Sequence, residues 1–110
     1  MILVVANQAL REALTGSLSA LGPFRAESTL PVDAANSRHA LISTTVDLAP
    51  DDCRHLAARG VRVVILATLP NAVEEAAYRR AGVAAYLPMG LNSHSLADQV
   101  RPFLNHQAPP

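Results

Sequence analysis

Three consecutive hydroxyls (Ser43, Thr44, Thr45), one thiol (Cys53) and four histidines are the groups in this chain that could do chemistry. The hydroxyl cluster could bind a ligand or be modified by a Ser/Thr kinase; such residues more often satisfy the backbone of their own loop. His39, His55, His94 and His106 are scattered without the close spacing of metal ligands, so they read as surface residues and no metal site is expected. Cys53 has no second cysteine for a disulfide or a zinc pair, and its place on the apolar stripe of a helix suits a small buried hydrophobe. No nucleophile, base and orienter emerge together, so the chain is not expected to be an enzyme. All 9 basic residues are Arg, which leaves no lysine for a Schiff base or a phosphate-binding ammonium.

Composition bounds what these groups can belong to. A length of 110 residues fits a single domain, and a hydrophobic fraction of 50% excludes disorder. With only 4% aromatic residues and no Trp, the core must be packed from Ala, Val, Leu and Ile. The 9 basic residues balance 9 acidic ones, so no net field draws the chain to nucleic acid or to an anionic membrane. No apolar stretch approaches the roughly 20 residues of a membrane span, and Met1 leads into Ile2–Val5 without a basic leader, so a cytoplasmic location is expected.

The elements that must position the candidate groups alternate in type. Apolar runs at Ile2–Ala6, Ala40–Ser43 and Val61–Ala67, with weaker ones at Phe24–Ser28 and Val83–Leu87, suit strands covered on both faces. Leu10, Leu14, Ser17, Leu18 and Leu21 form a helical stripe stopped by Gly22 and Pro23. Only Pro31–Arg38 is available for a second helix, which must be short or irregular. Pro50 with Asp51 and Asp52 opens a third helix that Gly60 stops, with Cys53, Leu56 and Ala57 inward. Pro70 and Asn71 open a fourth, closed by Gly82. A fifth follows Asn92 and Ser93, carries Leu96, Val100, Phe103 and Leu104 on its stripe, and meets Pro102 in its last turn. Such alternation predicts an α/β flavodoxin-like, doubly wound fold: a five-stranded parallel sheet, order 2-1-3-4-5, in one domain over residues 1–106, with a linker or tail beginning at 107–110. Sites in that fold form at the carboxyl ends of the strands. The loops to inspect are therefore Ala6–Ala9, Ser43–Asp47, Ala67–Asn71 and Pro88–Asn92.

Here the sequence resembles the CheY-like receiver domains of bacterial response regulators, and among them the NarL/LuxR-type branch. Val4-Val5-Ala6-Asn7-Gln8-Ala9-Leu10-Arg11-Glu12-Ala13-Leu14 is similar to that branch's opening, V-V-D-D-H-P-L-x-R-E-G-L. Ala81-Gly82-Val83-Ala84-Ala85-Tyr86-Leu87-Pro88-Met89-Gly90 is similar to its A-G-A-x-G-Y-L-x-K strand. Arg62–Thr68 fits the fourth strand and His39–Thr44 the third. Receivers accept a phosphoryl group on an aspartate beside a magnesium ion, which needs hard oxygen ligands. The resemblance puts Ala6 and Asn7 in place of the acidic pair, Thr44 at the acceptor, Ala67 (or, one residue on, Thr68) at the switch hydroxyl and Met89 at the lysine. Asp47 lies beyond the strand end without an acidic partner and is discounted as an acceptor.

The resemblance therefore implies a degenerate pseudo-receiver: a regulatory interaction and dimerisation module of a two-component type, independent of phosphorylation and of any cofactor. It also implies that the domain serves a transcription regulator whose helix-turn-helix DNA-binding part follows Pro110, the domain itself touching neither nucleic acid nor membrane. Arg79, Arg80 and Tyr86, with Leu96 and Val100 of the last helix, form the candidate pairing face of a homodimer. The alternative is a small-molecule sensor that uses the vacated cleft, lined by Ala6, Asn7, Thr44, Ala67, Thr68 and Met89.

Overall fold

Runs of Val, Ile and Leu without alternating polar residues need cover on both faces, and the central strands of this chain obtain it. The structure, a computed structural model, describes residues 1–21, 23–46, 48–89 and 96–104. The expectations for Gly22, Asp47, Asn92, Ser93, His94, His106 and the 107–110 tail lie outside the described residues. Strands β1 (Ile2–Val4), β2 (Arg25–Glu27), β3 (His39–Ser43), β4 (Arg62–Ala67) and β5 (Ala85–Pro88) form one sheet in the order β2-β1-β3-β4-β5. Every neighbouring pair is parallel, as expected.

Register sorts the core into two layers. Val4, Ile42, Ile65 and Tyr86 lie side by side across the sheet and face one layer; Leu3, Leu41, Val64 and Ala85 form the adjacent row and face the other. A slip of one residue in any strand would exchange its faces and carry each buried side chain into the opposite layer, where the packing does not match it. Helices α1 (Gln8–Leu18) and α4 (Leu96–Leu104) cover the leucine-rich layer with Leu14, Leu18, Leu96, Ala97 and Val100. Helices α2 (Pro50–Ala58) and α3 (Ala72–Arg80) cover the other with Cys53, Leu56 and Tyr78. Each fully buried Leu or Ile contributes about 1.5–3 kcal/mol, against about 0–1 kcal/mol for an exposed ion pair, so this core and not the surface charge holds the fold.

The helix ends follow their local chemistry. Asn71 precedes α3 and its side-chain oxygen accepts from Val73 N (2.8 Å) and Glu74 N (3.0 Å). At the start of α2, Pro50 occupies the first turn and Asp52 Oδ2 accepts from Ala49 N at 3.1 Å. Gly60 and Gly82 take positive φ values of 87° and 97° just past α2 and α3. At Gly82 a Cβ would stand 3.3 Å from the Ala57 methyl, so the glycine also lets the two helix ends approach.

Two elements are slight, as the short second stretch and the weak strand signal predict. The second crossover holds a single 3-10 turn, Ala34–Asn36, so among the described residues four α-helices flank the sheet. The stretch is too short for more, and Ala34 alone is buried from it. The edge strand β2 has only three residues; Arg25 binds Asp33 through both guanidinium nitrogens (2.7 and 3.2 Å) and lies 3.3 Å from Glu27. Charge on a short edge blocks further strand pairing. The hydrogen bond from Arg25 holds the Asp33 carboxyl below its ordinary range.

Candidate functional site

The carboxyl ends of β1, β3, β4 and β5 bring the expected site residues to one edge of the sheet, where most of their polar atoms bond to one another or to backbone. Asn7 starts α1: its side-chain oxygen accepts from Leu10 N at 2.9 Å, and its carbonyl accepts from Arg11 N at 2.8 Å. Ala6, exposed, donates its N–H to Thr45 Oγ1 at 3.2 Å, tying the end of β1 to the end of β3. Ser43 is fully buried, and its hydroxyl accepts from Thr45 N (3.1 Å) and bonds Thr45 Oγ1 (3.0 Å). A hydroxyl two residues before the N–H it receives makes a local turn, the ordinary task of such side chains.

Thr44 and Thr68 form a second latch. Thr44 Oγ1 accepts from Thr68 N at 3.0 Å and lies 3.0 Å from Thr68 Oγ1, while Thr44 N donates to Leu66 O at 3.0 Å. The central strands β3 and β4 are thus joined beyond their last ladder pair. Ala67 is fully buried in β4, and its carbonyl accepts from Met89 N at 2.8 Å. The Met89 side chain, half-buried, packs with Leu10 onto the leucine-rich layer. Met therefore fills space at the edge of the core, as its flexibility allows.

The arrangement does not fit a magnesium ion. The pair after β1 offers a methyl group and a carboxamide oxygen already bonded to Leu10 N, where the ion needs carboxylate oxygens. Among the described residues no group of three His, Cys, Asp or Glu is placed to hold a metal. Cys53 is fully buried; its thiol is pushed up to about 12, first by burial and then by the Asp52 charge. No described helix is long and apolar enough to cross a membrane.

Of the residues assigned to a pairing face, Arg79 and Arg80 are exposed, with Arg79 Nε bonded to Glu75 at 2.8 Å. Tyr86, Leu96 and Val100 turn inward, with 5%, 3% and 0% of their surface exposed. The stripe on α4 is consumed by its own core, so these three do not contribute to a surface. Tyr86 OH accepts from Asn71 N (3.2 Å), donates to Glu74 Oε1, and its ring stacks on Tyr78 with centroids 6.3 Å apart. Burial, then the bond to Glu74, raises the Tyr86 phenol above its ordinary value.

The sequence alone does not reveal one feature of this edge. A hollow of about 490 Å³ opens on the β2 side, bounded by the loops after β1, β2 and β3 and by the first turn of α2. Of the expected cleft residues only Ala6 lines it. Ser28, Thr29 and Leu30 form its far wall, and the signal that could have found them is the one that marks the other strands: polar residues just after a strand end.

Neither a protein-family model nor a curated protein matches the sequence. Solved structures do match in fold. A CheY-like response regulator receiver domain protein from Methanospirillum hungatei is 15% identical, with a TM-score of 0.78 over 96% of this chain and 92% of that one. A LuxR-family DNA-binding response regulator from Staphylococcus aureus is 14% identical, with a TM-score of 0.74 over 94% and 98% of the two chains. An atypical orphan response regulator, described as having a phosphorylation-independent regulatory mechanism, is 15% identical, with a TM-score of 0.78 over 99% and 98%. The chain has the receiver fold.

Proposed function

We propose that the chain is a pseudo-receiver of the NarL/LuxR type: a phosphorylation-independent regulatory module that acts by protein interaction and dimerisation in a cytoplasmic transcription regulator, and not as an enzyme. The observation that carries this reading is the neutral latch at the strand ends. Where the resemblance puts an acidic pair, an acceptor aspartate and a lysine, the chain holds Ala6, Asn7, Thr44 and Met89, and the Ala6 N–H, the Asn7 side-chain oxygen and the Thr44 hydroxyl are bonded to the protein itself. A phosphoryl group there would meet no metal and no ammonium, and phosphoryl transfer draws much of its rate from such preorganised charge. The receiver fold supports a regulatory module, and the pairing of two copies would use the exposed Arg79–Arg80 end of α3 or the outer surfaces of α1 and α4.

Intact mass after incubation with magnesium and acetyl phosphate tests the central step. The mass is expected to stay unchanged. An added phosphate that survives Thr44→Ala and vanishes in Asp47→Asn would overturn the reading. Sedimentation tests the second part: self-association is expected to grow with concentration, and a monomer at all concentrations counts against a dimer.

A further inference from the structure

The hollow beside β2 differs in chemistry from the latch next to it. Its floor is apolar: Leu30 is half-buried, and Val46 and Leu48 are nearly closed to solvent, so a bound body would cover carbon rather than unpaired polar atoms. At about 490 Å³ it is large enough for a small molecule, and it straddles the strand ends where doubly wound sheets take ligands. Ser28 and Thr29 stand on its rim, and no described residue bonds their hydroxyls. Among the described residues of the lining, Asp52 supplies the single charged group. One of its oxygens accepts from Ala49 N; no described partner occupies the other.

Among the described residues no arginine forms an ion pair with Asp52. Arg54, two residues along α2, is bonded to Asp51, and Arg11 donates to Val5 O at 2.8 Å. The chain has no lysine to compete. A carboxylate without a cation, two hydroxyls able to accept hydrogen bonds and an apolar floor together select an ammonium group on an apolar body. We propose that this hollow binds small primary amines, with Asp52 as the anchor of the ammonium, Ser28 and Thr29 as its further acceptors, and Leu30, Val46 and Leu48 against the apolar part. An acid with the same body would bring two like charges together and is disfavoured. This goes beyond the interaction-module reading and does not depend on it, since binding can be read on a monomer.

Nitrogen-edited NMR titration of the whole chain with 4-phenylbutylamine, 4-phenylbutyrate and 4-phenylbutanol separates the role of charge from that of the apolar body. The amine is expected to saturate and to shift the amides of Ser28–Leu30, Thr45, Val46, Leu48 and Asp52. The acid should bind at least about tenfold more weakly, and the alcohol in between, because one charge-assisted hydrogen bond is worth about that factor. Asp52→Asn keeps an oxygen for Ala49 N and should cost the amine about tenfold while removing its advantage over the alcohol. If that variant unfolds, Thr29→Arg at the exposed rim places a cation at the mouth and should abolish amine binding. Failure of the amine to saturate, equal binding of amine and acid, shifts centred away from the hollow, or amine affinity unchanged in the folded variant would each overturn the assignment.

Discussion

The ends of β3 and β4 and the ends of β1 and β2 lie on the same edge of one sheet, and both carry hydroxyls above an apolar core. At β3 and β4 the hydroxyls close on each other: Thr44 with Thr68, Ser43 with Thr45. At β2, no described residue bonds the hydroxyls of Ser28 and Thr29, and both residues line a hollow. Position in the sheet accounts for the difference. The central strands β3 and β4 pair on both sides, so polar atoms at their ends are partly buried and must find partners inside the protein. The edge strand β2 is exposed and short, so its following loop can leave hydroxyls to solvent at no cost. A strand-end site in this fold is thus sealed from the centre outward, and what stays open lies beside the edge.

The largest effect that separates the two halves concerns what lies beneath them. Leu66→Ala should destabilise the protein by about 2–5 kcal/mol, because Leu66 is fully buried under the latch and its removal leaves a cavity. Leu30→Ala, on the half-buried floor of the hollow, should cost about 1 kcal/mol or less. Urea unfolding of both variants checks the ratio; equal losses would mean that the hollow is packed as tightly as the centre.

Openness should also stop one residue inside the rim. Asp52 faces the hollow while Cys53, its neighbour on α2, is fully buried. The native thiol should therefore resist an aromatic disulfide reagent at pH 8 and react only after unfolding. Burial raises its pKa from the ordinary 9.0 to about 12, so the folded state holds the proton over that interval while the unfolded state releases it. Stability from this group is complete below pH 9 and lost as pH rises toward 12. The raised Tyr86 phenol acts in the same direction. Urea midpoints measured from pH 7 upward should be level and then fall above pH 9, and Cys53→Ala should flatten the first part of the fall. A midpoint that rises with pH in this range would contradict the burial of both groups.

Much of this architecture was legible because it rests on local chemistry. Apolar runs placed all five strands, and Pro50, Asn71, Gly60 and Gly82 placed helix ends that the structure keeps. The sequence places the strand-end residues along one edge of the sheet and does not reveal their contacts. Thr44 and Thr68 are 24 residues apart, and nothing in either segment says that their hydroxyls meet. Leu96 and Val100 show why a stripe is ambiguous: helical spacing identifies an apolar face, and that face serves a core or a partner with the same pattern. The hollow is not legible because Phe24–Ser28, one of the two weaker strand signals, does not mark the loop after it as a strand-end site.

The Thr44–Thr68 latch gives the next effect in size. Thr44→Val keeps the shape and removes the oxygen that accepts from Thr68 N, leaving a half-buried N–H and hydroxyl to find water, at a cost of about 1 kcal/mol. Thr68→Val should cost about the same. The double variant should cost less than the sum by about 0.5 kcal/mol or more, because the shared bond can be lost only once. Additive losses would mean that the two hydroxyls act separately and that the centre of the edge is not sealed by their pairing.

The smallest effect is the sharpest test of the contrast. Ser28→Ala and Thr29→Ala remove the same kind of atom from the same edge of the sheet, yet no described group is bonded to either hydroxyl. Their removal leaves no orphaned donor behind, so each should change stability by less than about 0.5 kcal/mol. The pair Ser43→Ala and Ser28→Ala makes the comparison within one residue type: Ser43 is fully buried and accepts from Thr45 N, and its loss should cost about 1 kcal/mol more than that of Ser28. A destabilisation of similar size at Ser28 would show that its hydroxyl holds the loop after β2 as Ser43 holds the loop after β3. The rim of the hollow would then be a structural turn, and its hydroxyls would not be available to a ligand.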